Sequence, residues 1–185
     1  MDSMVSPQVL MSVADYLEQE KTSEAKHDYV GGVIYALPGS SIRHNRIVGR
    51  LYQQLLTATH EPCEIYFESV KLHPTPDSFY YPDLMVSCEP PADSHVISSA
   101  CLIVEVLSPA TEARDKLEKW AAYKQMSSLQ HYLLVHQDKP WIEHFQRDAA
   151  NQWQLSHHYD GEIALKCPQM SLMLTDVYAG VLAVG

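Results

Sequence analysis

The sequence lacks the motifs that identify several common kinds of active site. Its 185 residues contain neither GxGxxG nor GxxxxGK followed by Ser or Thr. No glycine-rich loop is therefore predicted to hold the phosphates of a nucleotide cofactor. The GxSxG motif of hydrolase nucleophiles and the HExxH motif of zinc peptidases are absent as well.

Cysteine is scarce and widely spaced. The four cysteines, Cys63, Cys88, Cys101 and Cys167, form no CxxC pair and show no zinc-binding spacing with the histidines. Cys88 and Cys101 fall in apolar, strand-like segments, which predicts reduced thiols in the core. A reducing cytoplasm is the expected location of such a chain.

Long apolar segments are also missing. No run approaches the roughly 20 residues that a membrane-spanning helix needs, and residues 1–11 lack the basic region of a signal peptide. We therefore expect no membrane partner. Residues 1–7 are expected to form a flexible N-terminus, and residues 8–185 a single domain that is long enough to bury a core.

Basic residues are too few for a broadly positive surface. The chain has 13 Lys and Arg residues against 23 Asp and Glu residues, a formal net charge of −10. This balance argues against non-specific binding along a phosphate backbone. It leaves room for a local basic groove, because basic residues cluster in two segments, residues 43–50 and 114–124.

One apolar segment carries a single acid. Residues 101–107 are apolar except for Glu105, which is typical of a strand buried on both faces. Burying an ionised carboxylate there costs several kcal/mol of folding free energy unless a cation lies near it. This cost is on the order of that of removing one partner from a buried ion pair. Asp83 precedes another short apolar run, and two acids on adjacent buried strands indicate a divalent-metal site. The alternative is that Glu105 ends its strand and faces solvent.

The remaining pattern predicts an α/β fold, with a central mixed sheet of about five strands flanked by helices. Ser12 is predicted to cap a helix to about Glu20, and Gly31-Gly32 to turn a hairpin within residues 26–37. A helix follows Ser41. Strands are predicted at 64–67, 70–73, 84–88, 102–107 and 131–135, an additional antiparallel pair at 141–147 and 153–159, and a short helix from residue 175.

Two helices carry candidate functional side chains. His44 lies one turn before the apolar stripe of the helix after Ser41, so it is either a core or cap histidine or a site residue. A second helix is predicted from Thr111 to about Gln125. Its apolar face consists of Ala113, Leu117, Trp120 and Ala121. Its polar stripe, Asp115, Lys119 and Tyr123, is either an exposed i,i+4 ion pair or part of the site.

Six segments in this order resemble the Uma2 family, which is also catalogued as DUF820 and is abundant in cyanobacteria. They are Lys26-His-Asp-Tyr29 with Gly32, Arg43-His44-Asn45, Tyr81-Pro-Asp83, Val104-Glu-Val-Leu-Ser-Pro109, the stripe from Asp115 to Tyr123, and Tyr132-Leu-Leu-Val135. The resemblance covers about residues 8–180. The Pro-Asp and Glu-Val-Leu-Ser-Pro motifs are specific only in combination.

The resemblance implies the PD-(D/E)XK nuclease superfamily and a restriction-endonuclease-like core. It implies that Asp83 and Glu105 bind Mg²⁺, with Mn²⁺ as a substitute, together with the backbone carbonyl of Val106. A lysine near the Glu would orient the attacking water and add positive charge to the transition state. His44 matches the family's histidine at a helix start.

The chain departs from the family pattern at two places. Leu107 occupies the superfamily's lysine position, two residues after the Glu, so a helix lysine is expected instead. Lys119 is the first candidate and Lys116 the second. Asp28 stands where the family usually has Glu, one methylene longer, so its role as a further metal or water ligand is in question.

These observations lead to a hypothesis and two alternatives. The hypothesis is a Mg²⁺-dependent endonuclease that hydrolyses DNA and pairs as a homodimer, as relatives with this fold often do. The first alternative is a catalytically degenerate member that keeps the fold as a binding or dimerisation module. The second is a metal-dependent phosphodiesterase acting on small nucleotides, which suits an acidic chain better than long DNA does.

Overall fold

The computed structural model describes residues 10–182, so the flexible terminus predicted at residues 1–7 lies outside the described residues. In that range the helices are α1 (Val13–Thr22), α2 (Ile42–Ala58), α3 (residues 112–123) and α4 (Leu174–Val177). The strands are β1 (His27–Val30), β2 (Val33–Ala36), β3 (Glu64–Phe67), β4 (Lys71–Thr75), β5 (Ser78–Tyr80), β6 (Leu84–Ser87), β7 (Val96–Ile97), β8 (Leu102–Leu107), β9 (His131–His136), β10 (Ile142–Arg147), β11 (Trp153–His158), β12 (Glu162–Lys166) and β13 (Gln169–Met173).

A six-stranded mixed sheet in the order β11-β10-β9-β8-β6-β3 forms the centre of the fold. Strands β8 and β9 pair in parallel, and the other neighbours in this sheet pair antiparallel. Every residue of β6, β8 and β9 is buried, as expected for strands covered on both faces. The mixed central sheet is confirmed, but the pair predicted at 141–147 and 153–159 extends it as β10 and β11.

Two smaller sheets flank the central one. Strands β2-β1-β5-β4-β7 form a five-stranded sheet, and β12-β13 form a separate antiparallel pair. The hairpin of β1 and β2 turns at Gly31 and Gly32, which both have positive φ, a conformation that favours glycine. The sequence pattern did not predict β5, β7, β12 or β13.

Helix α2 covers one face of the central sheet. The Ser41 hydroxyl accepts a hydrogen bond of 3.0 Å from the His44 backbone N–H and so caps its first turn. Ile47, Leu51 and Leu55 are at most 1% exposed and pack against the sheet. Burying each such side chain contributes about 1.5–3 kcal/mol. The predicted apolar stripe is therefore confirmed, and it fixes the helix start beside β6 and β8.

Helix α3 covers the opposite face, but it is turned the other way from the prediction. Three of the four residues predicted to face the core are exposed: Ala113, Leu117 and Ala121. Asp115, Lys119 and Tyr123 are instead at most 4% exposed. The helix is α-helical at Glu112–Arg114 and Trp120–Tyr123 and π-helical at Asp115–Lys119. The prediction failed because a buried carboxylate on the facing strand attracts the polar stripe inward.

The cysteines are paired, so the prediction that Cys88 and Cys101 are reduced core thiols is wrong for this structure. Disulfides join Cys63 to Cys88 and Cys101 to Cys167. All four residues flank strand ends or turns that meet at one end of strands β3, β6 and β8, so they are neighbours in space although far apart in sequence. Within residues 10–182, no helix has the length and apolar character needed to cross a bilayer.

Candidate active site

Glu105 is a buried acid in the middle of β8. It is two residues from both Ile103 and Leu107 and so shares their face of the strand, which is the face that α3 covers. The residue is 3% exposed, which rules out the alternative that it faces solvent. Its Oε1 accepts hydrogen bonds of 3.0 Å from Lys119 Nζ and of 3.0 Å from the Tyr123 hydroxyl.

Asp83 lies beside Glu105 because of the strand register. In the antiparallel pair of β6 and β8, Leu84 is opposite Val104. One step further along both strands Asp83 comes opposite Glu105, and opposite residues direct their side chains to the same face. Oδ2 of Asp83 accepts a hydrogen bond of 2.7 Å from the Val106 backbone N–H, which holds the carboxylate beside β8.

Each of the two acids keeps one oxygen that has no hydrogen-bond partner within the described residues, 10–182. Among residues 10–182, all hydrogen bonds of Asp83 use Oδ2 and all those of Glu105 use Oε1. The Val106 carbonyl points to the same side of β8 as the Val106 N–H, because the two backbone groups of a strand residue point to one side. Asp83, Glu105 and Val106 line one cleft, and oxygen is the ligand that Mg²⁺ prefers. The residues present fit a hard divalent cation.

Lys119 supplies the positive charge of the site. It lies in the π-helical turn of α3, and such turns are frequent at functional sites. Its Nζ is 3.0 Å from Glu105 Oε1 and 2.9 Å from Asp115 Oδ1. Burial alone would lower the pKa of Lys119, but the charges of Glu105 and Asp115 outweigh it and raise the pKa. The ammonium group therefore stays protonated.

The charge of the site is unbalanced. Burial raises the pKa of Glu105 well above its usual range; the Lys119 ammonium opposes this shift, while the charges of Asp115 and Asp83 increase it. With Asp28 nearby, the acids at this end of the sheet outnumber the cations beside them. The ionised form of Glu105 therefore needs more positive charge than Lys119 gives, and a divalent cation would provide it.

His44 belongs to this site and not to the core. Its side chain is 12% exposed, and Nε2 lies 3.2 Å from Asp83 Oδ2. Burial lowers the pKa of His44, but the hydrogen bond to Asp83 and the charge of that carboxylate raise it more, so the pKa is raised overall. His44 thus holds Asp83 from the α2 side while the Val106 N–H holds it from β8.

Asp28 is near the site but already bound. It is fully buried in β1, where Oδ1 accepts a hydrogen bond of 3.1 Å from the Tyr81 backbone N–H. Oδ2 lies 3.3 Å from the Arg114 guanidinium. Burial raises the pKa of Asp28, and the charges of Lys119 and Arg114 oppose that shift. Both oxygens are occupied, which favours a role in positioning the segment before Asp83 over direct contact with a metal.

The structure separates the two candidate lysines. Lys116 pairs with Glu112 at 2.9 Å and with Glu143 at 2.6 Å, away from the two acids. Of the two lysines, Lys119 is the one that contacts Glu105. Leu107, at the superfamily's lysine position, is 3% exposed and packs on the face that α3 covers.

A cleft of about 680 Å³ opens onto these groups. Asp83, Glu105, Val106, Lys119 and His44 all line it. One wall is the loop that enters α2, and the other is the segment from residue 108 to residue 111. Sequence reasoning missed Arg114 and Tyr81, which hold Asp28; only the structure shows that the Tyr81 contact is made by a backbone N–H.

Comparisons with known proteins show the family of this chain. The family model Uma2, described as "Putative restriction endonuclease", matches residues 13–175. The uncharacterized protein sll1609 of Synechocystis sp. (strain ATCC 27184 / PCC 6803 / Kazusa) is 31% identical over 159 residues, 83% of this chain and 90% of that protein. The uncharacterized protein slr1290 of the same organism is 32% identical over 178 residues, 92% of this chain and 93% of that protein.

A solved structure shares the fold. The crystal structure titled as a putative nuclease belonging to DUF820 from Anabaena variabilis ATCC 29413 superposes with a TM-score of 0.78 at 14% identity, covering 93% of this chain and 99% of that one. The predicted α/β fold is confirmed by that likeness. Because the family model spans most of the chain, this protein belongs to the Uma2 family.

Proposed function

We propose that this protein is a Mg²⁺-dependent endonuclease that hydrolyses the phosphodiester bonds of DNA. The observation that carries the proposal is the juxtaposition of Asp83 and Glu105 in one cleft, with the Lys119 ammonium 3.0 Å from Glu105. The family and the structural neighbour support a nuclease in general. The choice of metal and of DNA rests on the site's oxygen ligands and on the resemblance described above.

Asp83, Glu105 and the Val106 carbonyl would hold the Mg²⁺, and Mn²⁺ would substitute. When bound, the ion stabilises negative charge on the phosphate and lowers the pKa of a bound water. Lys119 contributes a second, permanent positive charge beside the scissile group, because its own pKa is raised by the acids around it. His44 orients Asp83, and Asp28 positions the strand segment that carries it.

A second candidate, a phosphodiesterase acting on small nucleotides, is supported by the charge of the chain. The net charge is −10, and the cleft is lined by Glu24 and Glu68 as well as by Lys26. Long DNA would meet these acids along its backbone, whereas a mono- or dinucleotide needs to neutralise only one or two phosphates.

The degenerate-module alternative rests on Leu107, on the shortened Asp28 and on the net charge of −10. The position of Lys119 argues against it, because the ammonium group occupies the place beside Glu105 that a lysine at position 107 would otherwise fill. A cytoplasmic location and a homodimer that cuts both strands complete the proposal.

The direct test is a cleavage assay with matched variants. Wild type and Asp83→Asn would be incubated with supercoiled, linear and single-stranded DNA and with short di- and cyclic nucleotides, with Mg²⁺, Mn²⁺ or a chelator. We expect metal-dependent cleavage of DNA that falls at least about 100-fold in Asp83→Asn, as for removal of a group that stabilises the transition state. Asp160→Asn, at an exposed acid remote in sequence from the site residues, is the matched control and should cleave like wild type.

The other outcomes discriminate among the alternatives. Hydrolysis of short nucleotides without DNA cleavage would favour the small-nucleotide phosphodiesterase over the DNA endonuclease. Equal activity in Asp83→Asn would remove the catalytic assignment. Calorimetry should show Mg²⁺ binding to wild type that is lost in Asp83→Asn; a protein with neither metal binding nor activity would be the degenerate module.

A further inference from the structure

All four cysteines of the chain meet in one cluster of sulfur atoms. Sγ of Cys88, disulfide-bonded to Cys63, lies 3.4 Å from Sγ of Cys167 and 3.9 Å from Sγ of Cys101. Cys63, Cys88 and Cys167 each offer a sulfur atom, and these three atoms lie within 4.8 Å of one another. Cys101, bonded to Cys167, completes the group. The chain contains four cysteines, so none lies elsewhere.

Backbone pairing assembles this cluster without help from the sulfur bonds. In the β3–β6 ladder Glu64 is opposite Ser87, which places Cys63 and Cys88 opposite each other one step beyond. The Cys101 N–H donates a hydrogen bond of 2.8 Å to the Val86 carbonyl, so Cys101 is held at the end of β6. These contacts would persist if the disulfides were reduced.

The fourth cysteine arrives on the turn between β12 and β13. The Lys166 N–H, one residue before Cys167, donates a hydrogen bond of 2.9 Å to His131 Nε2. The backbone N–H of His131 in turn donates to the Cys101 carbonyl at 3.1 Å. Cys167 is therefore fixed beside Cys101 by contacts that do not involve either side chain.

We propose that the four cysteines, when reduced, bind one Zn²⁺ in a tetrathiolate site. Zn–S bonds of about 2.3 Å in a tetrahedron separate the sulfur atoms by about 3.8 Å. Of the four non-bonded sulfur pairs in the cluster, Cys88–Cys167 and Cys88–Cys101 are 3.4 and 3.9 Å apart, on either side of that value. Only soft, tetrahedral metals suit four thiolates, so the site selects Zn²⁺ over the hard Mg²⁺ of the active site.

The zinc site is independent of the proposed nuclease activity. Cys101 and Glu105 are four residues apart on one extended segment, about 13 Å along the strand. Bound Zn²⁺ would instead join the β12–β13 pair to strands β3, β6 and β8 of the central sheet. Successive cysteines in the sequence are 25, 13 and 66 residues apart. A search for short cysteine motifs therefore does not detect the site.

The same four sulfur atoms form the two disulfides when oxidised and would form the zinc site when reduced. Two equivalents of a water-soluble phosphine would reduce both disulfides, consuming two water molecules and giving two phosphine oxides and four thiols. Zn²⁺ would then displace the four thiol protons as the thiolates coordinate it.

The experiment is a metal titration of the full-length protein, reduced with phosphine under anaerobic conditions and freed of metal. Co²⁺ serves first as a spectroscopic probe. We expect one equivalent to produce thiolate-to-cobalt charge-transfer absorption in the near ultraviolet and strong visible bands of tetrahedral Co²⁺. One equivalent of Zn²⁺ should abolish both and protect all four thiols from a thiol-reactive dye. Unreduced protein should show neither band.

Variants locate the site. Cys63→Ser and Cys167→Ser should each weaken Co²⁺ binding by more than the roughly 10–100-fold that loss of an outer-shell partner costs. Glu105→Gln should keep the full Co²⁺ signal, since it alters only the separate acid site. X-ray absorption of the zinc-loaded wild type, which needs no variant to fold, should show four sulfur neighbours.

Three results would overturn the proposal: no thiolate band in the reduced wild type, fewer than three sulfur neighbours around bound zinc, or unchanged Co²⁺ affinity in both serine variants. Any of them would leave the nuclease proposal intact. Absence of metal-dependent DNA cleavage by the wild type, together with an intact cobalt signal, would be the failure of the nuclease proposal alone.

Discussion

At the scale of single residues, the buried charges are what distinguish this chain from a generic α/β protein. Glu105, Asp115 and Lys119 are each at most 4% exposed, yet they lie within one cluster of ion pairs. Burying charges is costly, and the pairing offsets that cost only when each partner is present. Removing the acid and removing the base should therefore have different consequences.

Glu105→Gln should abolish activity but leave the protein folded. Glutamine has the same size and keeps an oxygen that can accept from Lys119 and from the Tyr123 hydroxyl. It removes a carboxylate whose ionised form is disfavoured by burial. We expect the free energy of unfolding in urea to change by less than about 1.5 kcal/mol, the size of one net hydrogen bond, while Mg²⁺-dependent cleavage and Mg²⁺-induced thermal stabilisation are lost. A large loss of stability would mean that the ionised acid is required for folding.

Lys119→Met should instead destabilise the fold by about 3–5 kcal/mol, because it leaves the buried carboxylates of Glu105 and Asp115 without their cation. The folded-state pKa of Glu105 already lies above its usual value and should rise further without Lys119, so the folded protein takes up a proton. The loss should then be smaller near pH 5 than near pH 8. Urea unfolding at both pH values measures it, with exposed Lys124→Met as the matched control. A loss independent of pH would contradict the charge argument.

At the scale of secondary structure, helix α3 shows where a sequence pattern can mislead. The spacing of its apolar residues predicts that Ala121 faces the core, whereas Ala121 is exposed and Ala122 is 7% exposed. Hydrophobic periodicity assumes that apolar burial dominates each helix. Here the ion pairs with Glu105 fix the rotation of the helix, and the π-helical turn shifts its register.

Two adjacent substitutions test this rotation. Ala121→Glu should change the free energy of unfolding by no more than about 0.5 kcal/mol, as is usual for surface positions. Ala122→Glu should cost at least about 3 kcal/mol, since it forces a larger, charged side chain into packed surroundings. Both changes introduce the same residue one position apart, so each is the control for the other in a urea titration. A larger cost for Ala121→Glu than for Ala122→Glu would mean that the helix turns as the pattern predicted.

Elsewhere the sequence was a good guide to the elements. The bounds predicted for β3 and β8 match the structure, because turn residues flank short apolar runs. Strands β5 and β7 have only three and two residues, too few for an alternation to be visible. Asp83, Glu105 and Lys119 could be singled out as acids and a base near apolar strands, but the contact of His44 with Asp83 depends on how α2 docks on the sheet, which no local pattern contains.

At the scale of the whole molecule, a buried histidine pair joins the β12–β13 pair to the central sheet. The Lys166 N–H donates to Nε2 of His131, so the proton of that ring must lie on Nδ1. Nδ1 of His131 is 2.9 Å from Nε2 of His144, which therefore accepts. Both rings are neutral in this network. Burial lowers the pKa of His131 to about 4 and that of His144 to about 3.

This pair should make the folded protein sensitive to mild acid. The unfolded chain binds protons at these histidines near pH 6.5, whereas the folded protein does not until about pH 4 or below, so stability is lost as the pH falls through 6.5. From pH 7 to pH 5 each histidine should remove about 1–2 kcal/mol from the free energy of unfolding. His144→Gln keeps a hydrogen-bond acceptor but cannot titrate, and urea unfolding across this range should show a shallower dependence on pH by about one proton. His95→Gln, at an exposed position, is the control and should follow wild type; an identical slope in all three proteins would mean that the buried pair is protonated in the folded state.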